Sequence, residues 1–200
     1  MTSSETTAEP RTGHFSVDNS QCRMVGRVDR IDDAALKIEY SLANQSGLHA
    51  FVFHGVSRGP EAEFDPNLTY VIPVNREIEL AKKMLPVPKG LRVERPVIPL
   101  CIRIEPGESF SDSIQIPMPL VPWSHYSTGQ SDDIAKQNEM SERVNAHFVL
   151  GFFLAPTESV QLATPIQLAD REYWSFKTFD PQKQLFFRVG PIADVPVRFK

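Results

Sequence analysis

Apolar and polar residues alternate with a period of two in several separate stretches of this chain. Within residues 96–118, Ile98, Leu100, Ile102 and Ile104 fall on alternate positions, with Pro99, Cys101, Arg103 and Glu105 between them. Glu105-Pro106-Gly107-Glu108 interrupts, and then Phe110, Ile114, Ile116 and Met118 alternate with Ser109, Ser111, Ser113 and Gln115. Successive side chains of a strand point to opposite faces. The pattern therefore predicts half-buried antiparallel strands, oily side inward. Asp112 breaks the apolar face, which fits either a sheet-edge position or a bond to backbone. Pro106 fixes φ near the value a turn needs, and Gly107 supplies the positive φ of a type II turn. That turn matches strand twist poorly. The bend is either a longer hairpin or a corner where the chain crosses between two packed sheets. In both cases one core must accept Ile102, Ile104, Phe110, Ile114 and Ile116.

The same signal recurs along the chain. Residues 22–30 alternate weakly through Met24, Gly26 and Val28 and predict a first, edge strand. Leu36, Ile38, Tyr40 and Leu42 against Lys37, Glu39 and Ser41 give the cleanest amphipathic strand. Asn44-Gln45-Ser46-Gly47 is a turn by composition. Residues 48–56 carry apolar side chains on both faces, the mark of a central strand covered on both sides. Residues 68–74 predict a strand. Residues 76–84 fit a strand or an Asn75-capped helix, and strand neighbours favour the strand. Residues 91–94 extend toward the next strand. Residues 119–126 read as an extended segment on the body. Residues 127–142 fit a short helix or a loop. Residues 145–155, the most apolar segment, predict a central strand. Further strands are expected within 160–168, split by Pro165, and over 173–179, 185–189 and 195–199. The expected class is all-β, an antiparallel sandwich of about eight to ten strands with at most one short helix.

Composition narrows the picture. The chain has 200 residues, 41% hydrophobic and 23% charged, which suits one domain over residues 16–200. Residues 1–15, rich in Ser, Thr and Glu, read as a disordered tail. The net charge of -4 and the lack of any Lys/Arg run argue against nucleic-acid binding. The longest apolar run is far below the roughly 20 residues of a membrane helix. The first residues lack the basic and apolar regions of an export signal, so the expected compartment is the cytoplasm, with Cys22 and Cys101 as buried thiols.

Two turn motifs carry a family resemblance. Ile104-Glu105-Pro106-Gly107-Glu108-Ser109 resembles the L-x-PGE(S) turn of immunoglobulin-like bacterial domains. Upstream, Tyr40-Ser41-Leu42-Ala43-Asn44-Gln45-Ser46 is similar to the strand and N-x-S turn that opens such domains. Intracellular proteinase inhibitors of the BsuPI type and arrestin-like sandwiches carry versions of both. The resemblance implies an immunoglobulin-like sandwich. The inhibitors' tryptophan-bearing loop has no counterpart after Val56, so no inhibitory residue carries over.

Catalytic spacing is absent from the sequence. No H-x-H, H-E-x-x-H or C-x-x-C occurs to hold a metal, no G-x-S-x-G elbow, and no glycine-rich phosphate loop. No cofactor is expected. The leading expectation is a non-enzymatic module that binds a protein partner or a second copy of itself. Its candidate surface is Trp123, His125, Tyr126, Tyr173 and Trp174, because aromatic side chains give large contact area at low entropic cost. The alternative is a hydrolase with a loop-borne site. That needs a pocket holding at least two of His49, His54, His125, Asp65 and Asp112 within hydrogen-bond reach. A subunit of a phage or secretion assembly is a third reading.

Overall fold

The alternating runs on either side of Pro106-Gly107 enter different sheets. The computed structural model describes residues 13–56, 65–127, 141–168 and 171–199. Twelve strands form among them, numbered in chain order. A four-stranded sheet contains β1 (Gly13–Asp18), β2 (Cys22–Ile31), β3 (Ala35–Asn44) and β8 (Ser109–Pro117), side by side in that order. The larger sheet holds β4 (His49–Gly55), β5 (Tyr70–Val74), β6 (Glu77–Lys82), β7 (Leu100–Ile104), β9 (Ser141–Ala155), β10 (Ala163–Leu168), β11 (Arg171–Phe176) and β12 (Leu185–Arg198). Its order is β10-β11-β7-β4-β9-β6-β5, with β12 also pairing to β9. One four-residue helix, Thr157–Val160, and a 3-10 turn at Pro181–Lys183 complete the described elements. The protein is all-β.

The interior between the sheets follows the alternation. Leu36, Ile38 and Leu42 of β3 and Ile114 and Ile116 of β8 meet Ala50, Val52, Phe148, Leu150 and Phe152 from the larger sheet. Ile104 joins them, Phe110 packs at the margin, and Ile102 is buried as well. On the outer face of the larger sheet a second cluster forms around Phe51, Phe53 and Phe153. β4 is therefore covered on both sides, as its doubly apolar sequence requires.

The Pro106-Gly107 bend is a corner. Gly107 sits at φ +81°, and the Glu108 amide donates to the Glu105 carbonyl at 3.1 Å. β7 ends in the larger sheet, and β8 begins beside β3, with Ser109 opposite Ala43. The chain makes a second crossing from β3 to β4. Asn44, 1% exposed, ties the two crossings together. Its amide donates to the carbonyls of Leu48 at 2.7 Å, Ile104 at 3.1 Å and Glu105 at 3.2 Å, while its side-chain oxygen accepts from the Ser46 amide and hydroxyl. Backbone bonds join Asn44 to Gly107 and Glu108 as well. Asn44→Ala strands several buried carbonyls. It is expected to cost about 2–3 kcal/mol of unfolding free energy, read from urea titration.

Several expectations change. Twelve strands form among the described residues, against an expectation of about eight to ten. β1 starts at Gly13, so residues 13–15 are strand where a tail was expected; residues 1–12 lie outside the described residues. β2 is accordingly flanked on both sides and is not an edge. Residues 91–94 form no strand. The segments at 185–189 and 195–199 belong to one strand, β12, whose pairing with β9 shifts on either side of Ile192. Pro165 does not split β10, because β10 is the outermost strand and an edge tolerates a missing N–H. β6 is a strand, joined to β5 by Asn75 and Arg76, both at positive φ as a two-residue hairpin demands. β6 pairs with β9 in parallel, so the larger sheet is not purely antiparallel. The helix-or-loop question at 127–142 falls mostly on residues 128–140, outside the described residues.

Candidate functional site

The edge position and the inward turn of β8 bring Asp112 against the opposite sheet. The cross-strand row Phe15, Gly26, Tyr40, Asp112 runs across the smaller sheet on one face. A Cβ on Gly26 would lie 2.6 Å from the Phe15 ring and 2.1 Å from the Glu39 carbonyl, so only glycine allows this row to close. Facing Asp112 is His54 of β4, on the same parity as the buried Ala50 and Val52. His54 Nε2 lies 2.7 Å from Asp112 Oδ2, and the imidazole is 0% exposed. The Tyr40 hydroxyl reaches the same carboxylate oxygen at 3.5 Å, and Arg171 Nη1 lies 3.5 Å from Oδ1. Behind the imidazole, the Tyr173 hydroxyl stands 3.4 Å from Nδ1. Phe110 packs edge-on to the His54 ring, and the Arg171 guanidinium lies 5.2 Å above the Phe110 ring. Lys82 of β6, fully buried, donates to the His54 carbonyl at 3.1 Å and to the Pro66 carbonyl.

The charges follow from burial and neighbours. Burial pushes the His54 imidazole down to about 4, against the opposing pull of its bond to Asp112. It is neutral near pH 7. Burial works to raise the Asp112 carboxyl, yet the His54 bond and the cations Lys82 and Arg171 outweigh it and hold it below its usual value. An ionised carboxylate only accepts, so Nε2 carries the imidazole proton. Nδ1 then accepts from the Tyr173 hydroxyl. Burial lowers the Lys82 ammonium to about 8, which leaves it mostly charged at neutral pH.

Tyrosine, imidazole and carboxylate thus stand in a line capable of passing a proton. However, His54 is 0% exposed and Tyr173 2% exposed, so no solvent-borne substrate touches either. The cavity that Asp112 helps line, about 640 Å³, lies over β1, β2, β3 and β8 and does not reach His54. The arrangement joins β3 and β8 to β4 and β11; it fastens one sheet to the other.

The remaining candidates are dispersed. Of the five groups named for a hydrolase site, only His54 and Asp112 meet. His49 Nδ1 lies 2.8 Å from Glu105 Oε2, and its Nε2 is 3.1 Å from the Thr157 hydroxyl. Asp65 accepts from the Asn67 amide in a turn. His125 packs edge-on to Tyr70 and Trp123, and burial lowers its pKa. No group of three or more His, Cys, Asp or Glu among the described residues is placed to hold a metal. No helix among them is long and apolar enough to cross a membrane.

The aromatic candidates divide. Trp123 bridges to Val71 of β5 and stacks on Tyr70 at 5.3 Å, and the Tyr126 hydroxyl accepts from the Val97 amide, so this segment is half-buried against the body. Trp174 is half-buried beside Phe51 with Arg103 4.2 Å above it. Tyr173 is a correction to the partner-surface expectation, since it is turned into the interior and offers nothing to a partner.

Sequence reasoning missed the cleft beside Trp174. Phe153, Phe176 and Phe179 floor a hollow of about 930 Å³, with Leu162, Lys177 and Lys183 among its walls. Phe179 packs on Phe153 at 4.5 Å and Phe176 edge-on at 5.2 Å. Leu162 is 75% exposed. The available signal was the spacing of three phenylalanines on strands or connectors that alternate out of the core.

Compared with known proteins, the chain matches no family model, no curated protein and no solved structure.

Proposed function

We propose that this chain is a non-catalytic, immunoglobulin-like β-sandwich module of the cytoplasm that binds a protein partner. The observation that carries the reading is the phenylalanine-floored cleft with Leu162 left 75% exposed beside it. Apolar surface of this kind, rimmed by polar side chains, marks an interaction site more often than a solvated face. Half-buried Trp174 extends the same face, and rigid rings supply contact area without costly ordering. The His54–Asp112 pair supports the same reading from the other side, because its burial commits it to joining sheets.

Parallel affinity capture from the native lysate tests this, with wild-type protein and Leu162→Asp as baits. Leu162 makes little contact with the body, so the variant is expected to keep its wild-type circular dichroism and melting temperature. The expected result is a protein retained by the wild type and lost by the variant. Equal retention by both baits, or none by either, defeats the reading.

A further inference from the structure

We propose that the cleft receives an extended acidic segment of a partner protein, apolar side chains down onto the rings and carboxylates up toward the rim. The inference rests on the cleft being a protein-binding surface and adds the chemistry of what enters it.

The floor fixes the first half. Buried Phe153 and half-buried Phe176 and Phe179 line the floor, packed against one another with no polar group among the three rings. Such a floor accepts leucine, isoleucine or phenylalanine side chains and rejects charges. The rim fixes the second half. Lys177 and Lys183 line the cleft, and Arg95 lines an adjoining hollow of about 540 Å³ that shares Lys177, Thr178 and Phe179 with it.

These three cations make no ion pair among the described residues. Being unpaired is not peculiar to them: Arg27, Arg143 and Arg188 meet carboxylates, but Arg23, Arg76 and Arg198 also make no ion pair among the described residues, so what sets these three apart is their place around one apolar hollow. On a chain of net charge -4, unpaired cations around an apolar hollow are a local reversal of sign. Two acids share the region. Asp180 spends a carboxylate oxygen on the Gln182 amide at 3.0 Å, capping the 3-10 turn, and Glu94 lines only the adjoining hollow. Complementary charge at a rim selects partners and speeds their encounter, while the apolar floor holds them.

The hollows on either side of residues 177–179 favour an extended strand of peptide over a compact ligand. Alternate side chains of such a segment point the same way, so apolar residues two apart can sit down while acidic neighbours face out.

The probes are two capped ten-residue peptides with the same leucine and phenylalanine positions. One carries glutamate at every other site, the other lysine. Titration calorimetry at low salt, with tryptophan emission as a second readout, compares wild type, Leu162→Asp and the double variant Lys177→Glu with Lys183→Glu. All three substituted side chains are exposed, and unchanged melting curves confirm that each protein is folded. The glutamate peptide is expected to bind wild type at least tenfold more tightly than the lysine peptide. Leu162→Asp should abolish binding, and the double variant should invert the preference. Equal affinity for both peptides overturns the acidic chemistry while leaving a protein-binding cleft. Failure of both peptides overturns the proposal; if Leu162→Asp still loses a captured protein, the broader reading stands. Saturable binding of laurate alone assigns the cleft to a small amphiphile and overturns both.

Discussion

Asp112→Ala will lower the unfolding free energy by about 3–5 kcal/mol, the range for removing one partner of a buried charged network. The carboxylate accepts from His54 Nε2 at 2.7 Å and is the shared neighbour of the Tyr40 hydroxyl and the Arg171 guanidinium. Alanine leaves an imidazole N–H unpaired in the interior and removes the anion that most favours the Lys82 charge. Asp112→Asn separates the two contributions, because the amide oxygen still accepts from His54 while the charge is gone. It should fall between wild type and alanine. Urea midpoints with slopes give all three values. A loss below about 1 kcal/mol for alanine would show that water reaches the carboxylate and that the sheets do not depend on it.

Stability will fall as the pH drops from about 6.5 toward about 4. In the unfolded chain His54 takes up a proton near its ordinary pKa of 6.5; in the folded chain burial delays uptake to about 4. The unfolded state binds more protons throughout that window, so acid favours it. The full difference amounts to about 3 kcal/mol, lost progressively across the window and complete below the folded pKa. Asp112 adds to the loss at still lower pH, because its carboxyl is held below its ordinary value in the folded state and acid must protonate it. His125 shifts in the same direction as His54. Urea midpoints at pH 7 and pH 4.5 check the slope. His54→Gln, which keeps a donor toward Asp112 but does not titrate, should remove most of it, and His125→Gln only a small part. An unchanged slope in His54→Gln would place the acid sensitivity elsewhere.

Much of this architecture was legible from alternation alone. Leu36, Ile38 and Leu42 announced β3, and the apolar run through Phe148 and Phe152 announced the strand on which the larger sheet is built. The corner at Pro106-Gly107 was one of two readings open to the residues, since turn chemistry fixes local dihedrals and not which sheet the next strand joins. Asp112 was visible as the one acid on an apolar face. Its partner was one of several candidates, because His54 lies in a different strand and nothing local specifies which residues of one sheet face those of the other. Lys82 carried a readable signal: it shares parity with Ile78 and Leu80, a cation in line with two residues of the inter-sheet core. Arg171 and Tyr173 had none beyond their own strand. Tyr173 and Trp174 look alike as neighbours in sequence. Their opposite facing separates an interior hydroxyl from a surface indole, and only the register of β11 decides which is which.

The order in which strands occur along the chain sets a schedule for synthesis. All four members of the smaller sheet precede residue 118, so it can close while the C-terminal part is still on the ribosome. The larger sheet cannot. β6 has only β5 beside it until β9 emerges, and β9 supplies neighbours to β4, β6 and β12 at once. During that interval Phe51 and Phe53 lack Phe153 and Phe179, so the nascent chain shows oily surface that the finished molecule hides.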